Sequence, residues 1–152
     1  MIIDFPMVLE DLKGKVKEIK TNEEMNFAVT NTNELYFWSY GKELSITRPI
    51  KLHLDKKVIV TSVSCGKNFC ILLTKQGILY SFGKKNKFGE LGSGDYLARE
   101  APEPIYNLAE SGEKIVQVEC GYKHVIARNG IGNVFAWGNV IDIFFYSWLK
   151  LI

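Results

Sequence analysis

At 152 residues the chain is the size of about one ordinary domain, and 47% hydrophobic with 24% charged residues gives it a core to bury instead of a disordered coil. A formal net charge of +2 is too small to imply nucleic acid or a membrane surface as a partner on charge alone. Thirteen glycines, nine Phe and seven Tyr, set among short β-branched runs, favour β structure.

The N-terminus, MIIDFP, has neither a basic segment nor a long apolar core, so it does not read as a signal peptide. No apolar run reaches the ~18 residues that a membrane span needs. Three segments of similar sequence then follow. The first is VKEIKTNEEMNFAVTNTNELYFWS (16–39), the second VTSVSCGKNFCILLTKQGILYSFG (60–83), the third IVQVECGYKHVIARNGIGNVFAWG (115–138), at offsets of 44 and 55 residues. Repetition at such spacing outranks any single motif. Asn22 and Asn33 stand where the later copies have glycine, and Asn is the residue after Gly that best tolerates positive φ. The copies are therefore expected to share backbone conformation.

In the middle copy the strands are expected at 60–64, 69–74 and 78–82, with a hairpin at Lys75-Gln76-Gly77 whose left-handed residue is Gly77. Alternation puts Tyr80 and Phe82 on one face and Leu79 and Ser81 on the other; Phe135 and Trp137 repeat this against Val134 and Ala136. Bulky faces pressing on flatter ones suit sheets stacked face to face, and Tyr36, Trp38, Tyr80, Phe82, Phe135 and Trp137 read as packing residues and not as platforms for bases. The predicted fold is all-β, a partial β-propeller of about three four-stranded antiparallel blades, divided at roughly 6–52, 53–108 and 109–139. Cys65, Cys70 and Cys120 are odd in number and form no CxxC pair, so they read as reduced, small, buried residues and not as a disulfide framework or zinc site.

The loop GKKNKFGELGSGD (83–95) lacks the spacing of a phosphate-binding loop and reads as structural glycines at a turn between blades, with Asp95 capping a turn through its side chain. Lys84, Lys85 and Lys87 form a local positive patch: solvated surface, or a protein or phosphate contact. His53 reads as an exposed strand-edge residue. No paired carboxylates, metal cluster or Ser/His/Asp arrangement emerges, so no catalytic, cofactor-binding or metal-binding residue is assigned, and no small-molecule substrate is expected. The final stretch, VIDIFFYSWLKLI (140–152), departs from the repeat. It reads as non-homologous sequence, or as an element covering an open blade, and is too short to span a membrane.

The run Cys65-Gly66, Gly77, Tyr80, Phe82-Gly83, Asn86 and Gly89 through Asp95 resembles one unbroken copy of the regulator of chromosome condensation repeat. Cys120-Gly121, His124, Gly132, Phe135 and Trp137-Gly138 begin another. Pro104 and Leu108 match the lead-in to a repeat, echoed by Pro6 and Leu12 and by Pro49 and Leu52. The resemblance implies a seven-bladed propeller in full-length members. Three blades cannot close a ring, so the chain is expected to be a fragment, short isoform or truncated gene product with two open sheet edges that self-association or another chain could cover. It also implies a structural hydrogen bond for His124.

The founding member of the family is an exchange factor for the small GTPase Ran, contacted by acidic and histidine residues on one loop face. The residues after each Cys-Gly position, Glu23, Lys67 and Tyr122, are expected in such loops. Here Lys67 and Tyr122 replace acids, and no wedge hairpin is inserted, which speaks against exchange activity. The expected function is a non-enzymatic protein-interaction or scaffold module, cytoplasmic or nuclear, with a protein partner and no cofactor. The alternative is a guanine-nucleotide exchange factor or regulator for a Ran-like GTPase.

Overall fold

The computed structural model describes residues 8–40, 46–55 and 57–139. Three separate antiparallel meanders follow one another along the chain. The first runs β1 (Val16–Thr21), β2 (Met25–Thr30), β3 (Leu35–Ser39), β4 (Ile46–Leu52); the second β5 (Val60–Cys65), β6 (Phe69–Thr74), β7 (Leu79–Gly83), β8 (Arg99–Pro104). The third, β9 (Ile115–Cys120), β10 (His124–Asn129) and β11 (Val134–Gly138), has three strands among the described residues where four were expected. The architecture is the all-β partial propeller that the repeats imply. The apolar tail, 140–152, lies outside the described residues.

Each blade turns its second hairpin in the same way. Thr30, Thr74 and Asn129 are buried polar residues at equivalent positions, and their side-chain oxygens accept hydrogen bonds from the backbone N–H of Glu34 (3.0 Å), Ile78 (3.0 Å) and Asn133 (2.8 Å). A left-handed residue follows within each turn: Asn33 (φ 60°), Gly77 (φ 80°) and Gly132 (φ 95°). Asn33 thus replaces glycine for the expected reason. Asn22 does not. Its partners in the alignment, Gly66 and Gly121, have no positive φ. They are glycines for lack of room: a Cβ on Gly66 would lie 2.1 Å from the Phe69 ring and one on Gly121 would lie 2.2 Å from the His124 ring. The ring of His124 lies over Gly121 as that of Phe69 does over Gly66. The hydrogen bond expected of His124 is not made among the described residues.

Sheets stack face to face. Phe27, Val29, Leu35 and Phe37 of the first blade pack on Val63, Cys70, Leu72 and Phe82 of the second; Ile71, Leu73 and Leu79 on the second blade's other face pack on Val118, Val125 and Ala127 of the third. Both faces of β6 are therefore covered, and all six of its residues are buried, whereas in β10 buried residues alternate with more exposed ones. At the first seam aromatics meet aromatics, contrary to the expected pairing of bulky with flat: Phe82 lies 5.5 Å from Phe27, edge on, and 6.2 Å from Phe37. Tyr36 and Trp38, expected in the core, lie on the far face of β3, only half-buried among the described residues. Among the described residues, the ends of the stack leave sheet faces uncovered as well as edges.

Two helical turns were not anticipated. A 3₁₀ turn at Glu10–Leu12 and a helix α1 at Tyr106–Glu110 carry the leucines of two lead-ins. At three and five residues they are too short to leave a periodic apolar stripe in the sequence.

The loop after β7 is a piece of architecture. Asn86 is 2% exposed; its amide nitrogen lies 2.9 Å from the Asp95 carbonyl and 3.1 Å from that of Leu97, and its amide oxygen accepts the Leu91 N–H at 2.9 Å. This knot drives Leu91 into the second core. Asp95 caps its turn as expected, accepting the N–H of Leu97 at 2.9 Å, and Arg99 clasps its carboxylate at 2.7 Å. The guanidinium, then the Leu97 amide, hold the Asp95 carboxyl below its usual value. From the next blade, Trp137 donates its indole N–H to the Glu90 carbonyl at 2.9 Å and lies against Gly92, where a Cβ would come within 2.9 Å of that nitrogen.

Candidate protein-interaction site

The turn between the first two strands of each blade is a three-residue link, and the three links meet. The Asn22 amide donates to the Gly66 carbonyl at 2.9 Å, and the Lys67 N–H donates to the Tyr122 carbonyl at 3.0 Å. Glu23, Lys67 and Tyr122 consequently form one row. The Lys67 ammonium pairs with Glu23 at 3.4 Å, donates to the Tyr122 hydroxyl, and lies 4.7 Å from the centre of its ring. The Tyr122 hydroxyl, and after it Glu23, hold Lys67 protonated above its ordinary range. Glu23 and Tyr122 are exposed and Lys67 half-exposed.

The lysine loop joins this row. Lys84 pairs with Glu24 at 2.7 Å, and that hydrogen bond holds the Glu24 carboxyl below its usual value. Lys85 and Lys87 do not pair with the row; with Lys67, Lys123, Tyr122 and Phe88 they line a pocket of about 220 Å³ at the seam of the second and third blades. All six residues singled out from sequence thus lie on one loop face. Sequence reasoning missed Glu24, Lys123 and Phe88. Glu24 and Lys123 were within reach of it: they occupy equivalent positions, one residue beyond Glu23 and Tyr122 at the same offsets. Phe88 carries no such signal, because its loop has no counterpart among the described parts of the other blades.

The remaining chemistry-bearing groups lie elsewhere. His53 is exposed just beyond β4. Cys65, Cys70 and Cys120 are free thiols; burial pushes Cys70 up and Cys120 up to about 12, so neither presents a thiolate at neutral pH. Among the described residues no group of three metal-ligating side chains is assembled, and no helix is long and apolar enough to cross a membrane. A larger hollow of about 750 Å³, lined by Val8, Leu9, Ile19 and Trp38, lies on the face of the first blade that the other described residues leave open and is not part of the loop face.

Comparison with known proteins bears on all of this. Models of the regulator of chromosome condensation (RCC1) repeat match residues 76–128 and 60–90. The mitochondrial RCC1 domain-containing protein RUG3 of Arabidopsis thaliana is 33% identical over 142 residues, covering 82% of this chain and 31% of its own length. The Caenorhabditis elegans homologue of the X-linked retinitis pigmentosa GTPase regulator is 37% identical over 91 residues, 60% of this chain and 6% of its own. Among solved structures, yeast RCC1 (Prp20), bound there to Kap60, superposes with a TM-score of 0.69 at 25% identity, covering 83% of this chain and 32% of that one. The chain thus spans about a third or less of the length of these proteins. Blade order, the glycine pattern and these matches agree: the chain carries repeats of the RCC1 family.

Proposed function

We propose that the chain is a non-enzymatic protein-interaction module whose working surface is the loop face carrying Glu23, Lys67 and Tyr122. The observation that carries this reading is the row itself: three successive blades place a carboxylate, an ammonium and a phenol side by side at the surface, on turns hydrogen-bonded to one another, the first to the second through the Asn22 side chain and the second to the third through the backbone. A rigid scaffold presenting polar and aromatic groups is suited to recognition, and a pre-ordered surface loses little entropy on binding. A reduced, cytoplasmic or nuclear setting, with free thiols, belongs to the same reading. The test is capture of protein partners by the full chain and by the Lys67→Glu/Tyr122→Ala variant. Losing a charge pair and an aromatic contact at an interface is expected to weaken capture by about tenfold or more. Undiminished binding of every partner would remove this face from the function.

A second reading, regulation of a Ran-like small GTPase, is favoured by one relative being a homologue of a GTPase regulator. Against it stand Lys67 and Tyr122 at positions where the resemblance leads one to expect acids. Release of fluorescent nucleotide from such a GTPase, accelerated above background by the chain, would put this reading first.

A further inference from the structure

The pocket at the seam of the second and third blades gathers more positive charge than its neighbours neutralise. Lys67, Lys85, Lys87 and Lys123 line it. Lys67 is engaged by Glu23. Glu90, the carboxylate in the lining, is 5% exposed and its Oε2 is taken by the Phe88 N–H at 2.8 Å. Among the described residues no carboxylate pairs with Lys85, Lys87 or Lys123. Lys123 is held instead by π-systems, 4.6 Å from the centre of the Phe88 ring and 5.8 Å from that of Tyr122. Such contacts fix where an ammonium sits without cancelling its charge. Phe88 and Tyr122 keep 40% and 57% of their surface exposed beside it.

We infer that this pocket binds an acidic segment of a partner protein, one Asp or Glu carboxylate seated among Lys85, Lys87 and Lys123 and the segment's flanking residues laid on Phe88 and Tyr122. The inference rests on the interaction-module reading above and names the chemistry of its partner. The pocket's size suits a carboxylate side chain. A nucleic-acid backbone would need a basic track continuing beyond it, but Glu23 and Glu24 lie where such a track would run across the blades. Charge complementarity of this kind fixes register and speeds encounter.

The test is fluorescence anisotropy of the full chain with a fluorescein-labelled octa-glutamate peptide, against an octa-glutamine control. Saturable binding of the acidic peptide alone, weakening as salt rises, is expected. Lys87→Glu/Lys123→Glu is expected to lower its affinity by about tenfold or more. Lys75→Glu/Lys114→Glu makes the same change of net charge at the opposite end of the blades, where Gly77 and Ile115 meet, and is expected to leave affinity within about twofold. If the reversal unfolds the chain, as followed by circular dichroism, Lys87→Gln/Lys123→Gln replaces it, with a loss of about threefold or more expected. Equal binding of the two peptides, equal effects of the two reversals, or tighter binding of a short DNA duplex would overturn the inference. Partner capture that survives Lys87→Glu/Lys123→Glu but fails with Lys67→Glu/Tyr122→Ala would leave the interaction module standing without its acidic partner.

Discussion

Glycine serves two different purposes in this chain, and a substitution series separates them. At Gly132 the backbone is left-handed (φ 95°) and a Cβ would meet nothing within 4 Å, so the constraint is conformational. The equivalent residue of the first blade is Asn33, left-handed too. Gly132→Ala is therefore expected to cost about 1 kcal/mol, and Gly132→Asn about half of that or less, because Asn tolerates this region. At Gly83 φ is ordinary, but a Cβ would lie 2.5 Å from the Asn68 carbonyl oxygen and 2.7 Å from the Phe69 Cα. Backbone atoms cannot swing aside as side chains do. Gly83→Ala is expected to cost about 1–3 kcal/mol, with Gly83→Asn no better. Urea unfolding of the four variants checks the ranking; equal costs for alanine and asparagine at Gly132 would contradict the conformational account. The two kinds of glycine look alike in sequence. Asn33 gives away the first kind, since Asn replaces Gly where φ demands it. Asn22 points astray, because its side chain is there for its hydrogen bonds, accepting the N–H of Met25 at 2.8 Å and donating to Gly66 of the next blade.

At the scale of elements, the loop between β7 and β8 depends on one buried amide. Asn86 satisfies the Leu91 N–H, and its amide nitrogen serves the carbonyls of Asp95 and Leu97, all within a segment that has no ladder to bond to. Asn86→Ala leaves those groups short of partners beneath Leu91, which is 0% exposed. The expected cost is about 2–3 kcal/mol, and Asn86→Asp should also destabilise, since a carboxylate accepts but cannot donate to the two carbonyls. Thermal melts of both variants test this; a stable Asn86→Asp would show that the donor side is dispensable. The structural nature of this loop was legible in its spacing, which fits turns and not phosphate. Its lid was not. Trp137 is 47 residues away, in another blade, and pattern within one repeat carries no record of which neighbour a side chain will meet. The same holds for the candidate site: Glu23, Lys67 and Tyr122 could be aligned by counting, but the pocket with Phe88 exists only once two blades are stacked.

For the molecule as a whole, stability resides in the seams. A blade is a thin sheet with two faces, and each needs a neighbour to become a core; in repeat architectures stability is accordingly a sum of units and nearest-neighbour interfaces. Ile71 and Ile126 occupy the same position of the second and third blades, with the same strand register around them: Ile71 pairs with Ser64 and Ser81, and Ile126 with Glu119 and Ala136. Sequence alone treats them as equivalent. Ile71 is 0% exposed because the third blade covers it, whereas Ile126 is 37% exposed because no described blade lies beyond. Ile71→Ala is therefore expected to cost about 2–5 kcal/mol, through lost burial and a cavity between two sheets. Ile126→Ala should cost under about 1 kcal/mol, since its side chain leaves little behind that water does not already reach. Denaturant unfolding of the two variants of the full chain measures the difference directly. If both cost the same large amount, the outer face of the third blade is covered in solution, by a second copy or by the chain's own residues beyond 139. Size-exclusion chromatography across a dilution series separates those cases, because only the first depends on concentration.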